Sequence, residues 1–301
     1  MTGQTMEPAC GLGELGSYLL CHLRCPDCLC GSLDLLGHSA TCKQCGRVLQ
    51  YQDGILDALP MALSVGTQSN QEHYDSFGSQ QDDHLSKRAR TRNHAQKMAM
   101  LQRVLDDRGE QVRTLEIGIG SGAHSAELAA KGHSVAGVDI SRVLLLKAQR
   151  QFPILGKAFL AAADATQLPF QECLFDRVFC VATLHHLPEP ESGIKEMLRV
   201  LKPGGRFCII EPKRFYPVHC INSLIHSKTE CGTFKMRVKS VTAWGEKAGA
   251  AGIQIDHFVF TPNRPRTLTP IYDRIDRICR STPFLWHASV MFCAHGQKKE
   301  P

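Results

Sequence analysis

The sequence predicts an α/β protein: an open, mostly parallel sheet with helices on both faces, preceded by a small cysteine-rich module. Three observations predict it. Residues 114–141, TLEIGIGSGAHSAELAAKGHSVAGVDIS, read as an apolar strand, a glycine-dense turn, a helix and a second strand ending in Asp139. Such a unit places a nucleotide at the carboxyl ends of parallel strands. Short apolar strands and helical stretches then alternate as far as residue 212, and Cys25, Cys28, Cys42 and Cys45 stand ahead of them as C-x2-C-x13-C-x2-C.

With 301 residues and a hydrophobic fraction of 43%, the chain has material for one large or two smaller domains and a sizeable core. No apolar run reaches the roughly 18–20 residues that span a bilayer. The N-terminus lacks a basic segment leading into a long apolar stretch, so no secretory signal is expected. A net charge of +6 suits an acidic partner or simply solubility, and is no nucleic-acid signature by itself. A cytoplasmic protein is the expectation. There, fourteen cysteines, seven of them in the first 45 residues, do not form a disulfide framework.

The clustered cysteines have another use. Each C-x2-C pair makes a tight knuckle, and two knuckles joined by a hairpin complete a tetrahedral sulfur site suited to Zn2+. The site is closed and therefore structural, supplying folding energy that a module of about 40 residues lacks. Cys30 and His38 lie nearby as spare donors, and four free thiols are the alternative. The stretch LLCHLRCPDC…CKQCGRVLQYQDGILDALP resembles the Trm112-like zinc-ribbon module, whose second knuckle runs into a strand and a DGI turn, matched by Asp53, Gly54 and Ile55. The resemblance implies company with methyltransferases of either RNA or small molecules, so it does not choose a substrate.

The chain then divides into a tail over 1–20, the zinc-ribbon module over 21–62, a linker and N-terminal helix over 63–95, and the nucleotide-binding domain over 96–301. SVGTQSNQEHYDSFGSQQDD is polar with little apolar periodicity, which reads as linker. Behind it, Lys87, Arg88, Arg90 and Arg92 precede Met98, Leu101, Val104 and Leu105, whose spacing is helical. The basic run is read as a solvated face, with phosphate contact as the alternative.

In the core, Gly118, Gly120 and Gly122 break the first strand, and GIGSGA formally satisfies the dinucleotide pattern G-x-G-x-x-G/A. Glu116 weighs against a dinucleotide, since an acid beside the glycine turn repels pyrophosphate and suits a ligand carrying an ammonium group, and Asp164 further on agrees with it. S-adenosylmethionine has an ammonium and a sulfonium but no phosphate. FLAAADATQLPF gives a third strand reaching Asp164, LFDRVFCVATLHHL a fourth running out at His185 and His186, and GIKEMLRVLKPGGRFCIIEP a helix, a turn and a fifth strand ending at Glu211. From 114 to 212 these stretches resemble the class I S-adenosylmethionine-dependent methyltransferases, in particular the branch that methylates quinones and small molecules.

That resemblance implies a seven-stranded Rossmann-like methyltransferase sheet, six strands parallel and the last antiparallel. IQIDHFVF and ASVMFCAHGQK supply the sixth and seventh. It also implies roles by position. The loop of Gly118, Gly120 and Gly122 passes under the methionine part of the cofactor, with Glu116 near its ammonium. Asp139 takes the ribose hydroxyls, Ile140 packs on adenine, and Asp164 with the Ala165 N–H reads the adenine edge. Val181 and Ala182 lie beneath the sulfonium. Segments 213–240 and 261–287 exceed the minimal core and are read as caps over an acceptor. Phe215, Tyr216, Phe234, Phe284 and Trp286 are its candidate walls, while Trp244 is assigned to the core.

Methyl transfer is an in-line displacement at an activated sulfonium, so positioning does most of the work. A general base matters only where the acceptor loses a proton; His185 and His186 are the candidates and Glu211 a weaker one. ATLHHL lacks the amide that would hold a planar amino group, which favours oxygen or carbon acceptors on a small or lipid-like molecule. Ribosomal- or transfer-RNA methylation, with the zinc module and the basic residues of 87–103 on RNA, is the alternative. A non-catalytic cofactor-binding scaffold is the third reading.

Overall fold

The computed structural model describes residues 13–80, 91–105, 112–152, 158–213, 235–261 and 266–300. The first part of the chain forms α1 (Gly13–Cys21), β1 (Leu33–Leu36), β2 (Ser39–Cys42), β3 (Val48–Gln52), β4 (Ile55–Asp57), α2 (Val65–Gln80) and α3 (Arg92–Leu105). Next come β5 (Arg113–Ile117), α4 (Ala123–Ala130), β6 (Ser134–Asp139), α5 (Arg142–Gln149), β7 (Ala158–Ala162) and β8 (Phe175–Val181). The last part holds α6 (Pro190–Val200), β9 (Leu201–Pro212), α7 (Val238–Lys247), β10 (Ala250–Phe258), α8 (Thr269–Ser281) and β11 (Met291–Lys298).

The expected seven-stranded sheet is corrected to one of eleven strands, in the order β1-β2-β3-β4-β7-β6-β5-β8-β9-β11-β10. The stretch from β7 to β10 is the core sheet, with β11 antiparallel to both its neighbours. The cysteine module is not a separate body beside it. β4 pairs in parallel with β7, placing Ile55, Leu56 and Asp57 opposite Leu160, Ala161 and Ala162. Apolar side chains on both faces of β4 drive this, because a strand with Ile55 and Leu56 both buried needs cover on each side.

Successive residues of the central strands feed opposite layers. Val178 and Cys180 of β8 join Leu115 and Ile117 of β5, with Ile194, Met197 and Leu198 of α6 packed over them. Phe179 and Val181 face the other way, against Met98, Leu101 and Leu105 of α3 and Leu128 of α4. Trp244 packs at the edge of the first layer, a core side chain as assigned.

Two of the expected boundaries change. Residues 13–20, assigned to a tail, lie in α1, which buries Leu15 and Leu19 and sets Tyr18 under the Arg113 guanidinium at 4.1 Å. The expected linker is the helix α2. Ser64 Oγ caps it by accepting from Thr67 N at 3.1 Å, and Gly78 lets it lie against Val143 and Leu144 of α5. Its inward residues Thr67 and Asn70 are polar, so no apolar stripe announced it. The basic stretch divides: Lys87, Arg88 and Arg90 lie outside the described residues, whereas the Arg92 guanidinium is held between Asp273 and Asp276 at 2.6 Å from each, and Arg103 pairs with Asp256. Among the described residues, no helix is long and apolar enough to cross a membrane.

Candidate functional site

At the carboxyl ends of β5, β6 and β8 lies a cavity of about 880 Å³. Glu116, Gly118, Gly120, Asp139, Ile140, Asp164, Ala165, Val181, His185 and His186 all line it. Gly122 does not. It starts α4 with φ 81°, against Ala148. The described cap aromatics Phe284 and Trp286 do not line the cavity either; Phe215, Tyr216 and Phe234 lie outside the described residues. Its aromatic wall comes instead from α2, through Tyr74 and Phe77, beside Thr67, Asn70 and His73.

The glycine turn is shaped by backbone and close approach. Gly118 has φ 70°, and a Cβ there would sit 2.3 Å from the Thr183 side chain. Its N–H donates to Val138 O at 2.8 Å, tying the loop across to β6. Gly120 N donates to Asp139 Oδ2 at 2.8 Å and Ser141 N to Oδ1 at 3.0 Å. Burial pushes the Asp139 carboxyl up to about 6 against these bonds, reinforced by the charges of Glu116 and Asp75.

Glu116 is buried, accepting from Ser125 Oγ at 2.5 Å and facing His124 Nδ1 at 3.4 Å. His124 stacks on His94, which in turn meets Glu127 Oε1 at 2.5 Å. The buried Nε2 of His124 has no hydrogen-bond partner among the described residues. On the adenine side expected from sequence, Asp164 Oδ1 accepts from both Thr166 N and Thr166 Oγ1 at 2.7 Å. The following residues are fixed by the cysteine module: Arg24 N donates to Pro169 O at 3.0 Å, Gln171 N to His22 O at 2.9 Å, and Leu23 bridges Phe170.

At the mouth of β8, Ala182 has φ 54°, a conformation costly for a residue with a Cβ. It turns the chain so that Thr183 N and Leu184 N donate to Glu211 Oε1 at 2.9 and 2.7 Å. Glu211, with no solvent exposure, presents its other oxygen to His185 Nδ1 at 2.6 Å. An ionised carboxylate only accepts, so Nδ1 is the nitrogen that donates to it, and in the neutral ring Nε2 is then the acceptor. Beside it, His186 Nε2 meets Tyr74 OH at 2.7 Å, and its carbonyl accepts from Asn70 Nδ2 at 2.6 Å. Sequence reasoning missed the α2 residues; the Ser64 cap and the pair Tyr74 and Phe77, three apart, were the available signals.

The second constellation is sulfur. The ligand atoms of Cys25, Cys28, Cys42 and Cys45 lie within 4.8 Å of one another, with Cys25 Sγ 3.6 Å from Cys45 Sγ and Cys28 Sγ 3.4 Å from Cys42 Sγ. Four sulfurs about 2.3 Å from one ion would stand about 3.8 Å apart, so the set fits a tetrahedral cation. Burial opposes ionisation of Cys42, yet the N–H groups of Cys45 and Gln44 and the neighbouring thiols hold it down to about 6. Leu29 and Gly46 close the two knuckles at φ 62° and 75°. Cys30 is outside the group: its Sγ accepts from Ser32 N at 3.3 Å.

Sheet order and cavity together define a Rossmann-like methyltransferase fold carrying an N-terminal extension of its sheet. Residues 115–209 match the family described as a methyltransferase domain. Over 99 residues, 33% of this chain and 40% of the relative, the sequence is 41% identical to a demethylmenaquinone methyltransferase of Clavibacter sepedonicus. The chain spans less than half the length of the curated relatives it matches. Among solved structures, a chain from the Haloferax volcanii complex between the Trm112 methyltransferase activator and a methyltransferase superposes with a TM-score of 0.56. It is 17% identical, and the match covers 77% of this chain and 98% of that one. Phosphoethanolamine N-methyltransferase 2 of Haemonchus contortus, bound to S-adenosyl-L-methionine, gives 0.52 at 20% identity, covering 68% of this chain and 53% of that one. At such identities the likeness is one of fold.

Proposed function

We propose that the protein is an S-adenosylmethionine-dependent methyltransferase acting at an oxygen or carbon of a small or lipid-like acceptor. One observation carries this reading: a single cavity is lined by the carboxylates of Glu116, Asp139 and Asp164 together with a histidine whose Nδ1 is bonded to a buried glutamate. The sign of the cavity suits a ligand with an ammonium and a sulfonium. Glu116 and the partnerless His124 Nε2 would hold the ammonium, Asp139 the ribose hydroxyls, and Asp164 with the Ala165 N–H the adenine edge, Ile140 packing on its face. The backbone of Gly118 and Gly120 would pass beneath the methionine part, and Val181 with Ala182 beneath the sulfonium. The cofactor supplies an activated methyl group.

The chain's own contribution is orientation and proton removal. His185 Nε2, left free for chemistry by the Glu211 bond, takes the proton that a hydroxyl or activated carbon loses as it gains the methyl. His186, held by Tyr74 and Asn70, is a wall of the acceptor space with Phe77 rather than a base. In the same reading, Cys25, Cys28, Cys42 and Cys45 hold one structural Zn2+, which fastens the ribbon that pins residues 169–171 and covers the β7 edge. RNA is the poorer acceptor because Arg92 and Arg103 are spent on internal carboxylates.

Calorimetry with S-adenosylmethionine tests the first step, and labelled methyl transfer into cell extract tests the second. Label in the organic-soluble fraction is expected. Label in the RNA fraction would replace the acceptor assignment, and absence of cofactor binding would end the enzymatic reading.

A further inference from the structure

One helix of this protein is turned inside out. α8 buries an aspartate and shows isoleucines to water. Asp276 is 1% exposed and accepts from Arg92 Nη2 at 2.6 Å, Gln96 Nε2 and Thr261 Oγ1 at 2.7 Å, and Phe260 N at 3.3 Å. Ile271, Ile275 and Ile278 are 55%, 40% and 54% exposed. At the helical repeat their spacing confines them to an arc of about 60°, a continuous outward stripe. Leu268 prolongs it in the turn before the helix, and Phe284 stands exposed in the turn after it. Soluble surfaces scatter such residues singly; a stripe of them marks a contact.

The charges around the stripe indicate what covers it. Arg274, exposed and not ion-paired with a described residue, borders the isoleucines, whereas Arg277 and Arg280 lie about 130° and about 170° round the helix from the centre of the stripe. The two acids of the helix, Asp273 and Asp276, lie on the side away from the stripe and are both engaged by Arg92, so the helix charge beside the stripe is the Arg274 guanidinium. We infer that α8 is an interfacial helix that lays its isoleucine stripe into the surface of an anionic lipid bilayer, with Arg274 at the edge of the stripe reaching the headgroups. Two copies of this chain pairing through the same face about a two-fold axis would bring arginine against arginine, which disfavours self-association there.

The placement has a use. Arg92, clamped by α8, sits between Thr91 and Asn93, and both of these line the cavity together with His94. A docked α8 therefore holds one wall of the cavity at the lipid surface. Vesicle binding follows from this face whatever the chemistry of the cavity.

Sedimentation of the full chain with sucrose-loaded vesicles tests the inference, using pure phosphatidylcholine and a mixture with about one-third phosphatidylglycerol. The chain is expected to sediment with the anionic vesicles on the order of tenfold more strongly than with neutral ones, and less so as salt rises. Ile271→Glu with Ile275→Glu should lower that binding by on the order of a hundredfold, since two isoleucines no longer enter the apolar layer. Replacing Arg274 by Gln should lower the preference for anionic lipid by about fivefold. Because these side chains face solvent, an unchanged melting temperature and unchanged S-adenosylmethionine binding show that the variants remain folded. Equal binding by the isoleucine variant would overturn the inference. So would a wild-type chain that ignores vesicles but forms a dimer that the same variant dissolves.

Discussion

Replacing Glu211 by glutamine changes no volume and reverses one hydrogen bond. In the native site one carboxylate oxygen accepts from Thr183 N and Leu184 N, and the other meets His185 Nδ1. A glutamine keeps a single carbonyl oxygen. Turned toward His185, it would leave two backbone N–H groups without an acceptor, at about 1–3 kcal/mol each. It therefore faces the two amides and offers its NH2 to Nδ1. His185 then carries its proton on Nε2, the nitrogen assigned to deprotonate the acceptor. General-base catalysis is worth roughly 10²–10⁴ in rate, or about 3–5 kcal/mol. The loss should fall in kcat, with S-adenosylmethionine affinity unchanged, because the cofactor carboxylates are untouched. Losing one charge-assisted hydrogen bond costs stability only about 1.5–3 kcal/mol, small enough to leave the chain folded. Single-turnover transfer from labelled cofactor, with calorimetry alongside, measures both. A Glu211→Gln enzyme within twofold of wild type would refute the base assignment.

The remaining predictions concern the cofactor loop and the cysteines. Asp139, pushed up to about 6 by burial, is more stable protonated in the unliganded fold, so the free protein loses stability as pH rises from about 4 to about 6. Ribose hydroxyls need the ionised carboxylate, so S-adenosylmethionine affinity should fall by up to about tenfold per unit below pH 6; a flat calorimetric profile from about pH 5 to about pH 8 counts against Asp139 as the ribose ligand. Gly118→Ala should cost about 2 kcal/mol or more in denaturant melts and abolish cofactor binding, because φ 70° and the 2.3 Å approach to Thr183 leave no room for a methyl group. Metal analysis of the wild-type chain should find one zinc, and Cys28→Ser should remove it and lower the melting temperature by about 10 °C. An unshifted melt with the same metal content would exclude the tetrathiolate site.

The core sheet was legible because its strands are short apolar runs bounded by glycine, proline and acids, from TLEIG to FCIIEP. The acids at their ends were legible as well. Asp139 and Asp164 follow runs that bury every neighbour, and a carboxylate there has no reason in packing. α2 was not legible, since its inward face is Thr67, Asn70 and Gly78 and its partner is another helix rather than the sheet; periodicity detects apolar stripes, not polar ones. The β4–β7 pairing was hidden for another reason. Three residues of strand carry too little pattern to announce a partner across the chain. Glu211 looked peripheral because its strength comes from two backbone N–H groups that only the turn at Ala182 aims at it.

The join between β4 and β7 also sets an order of events during synthesis. Ile55 and its partner Leu160 are 105 residues apart, a distance a ribosome covers in about 5–20 s. Throughout that interval the ribbon has been made and its neighbour has not. Its last strand waits with Ile55 and Leu56 uncovered and one row of backbone groups unpaired, the state in which strands join the wrong chain. The thiol cluster is complete at Cys45, before β4 emerges. A nascent chain that has gathered its four sulfurs can hold this strand in register for a partner still to come. One that has not leaves a bare, sticky edge at the start of the polypeptide. If the four thiols hold the proposed zinc, its scarcity would be felt first as misassembly of new chains and only later as failure of finished ones.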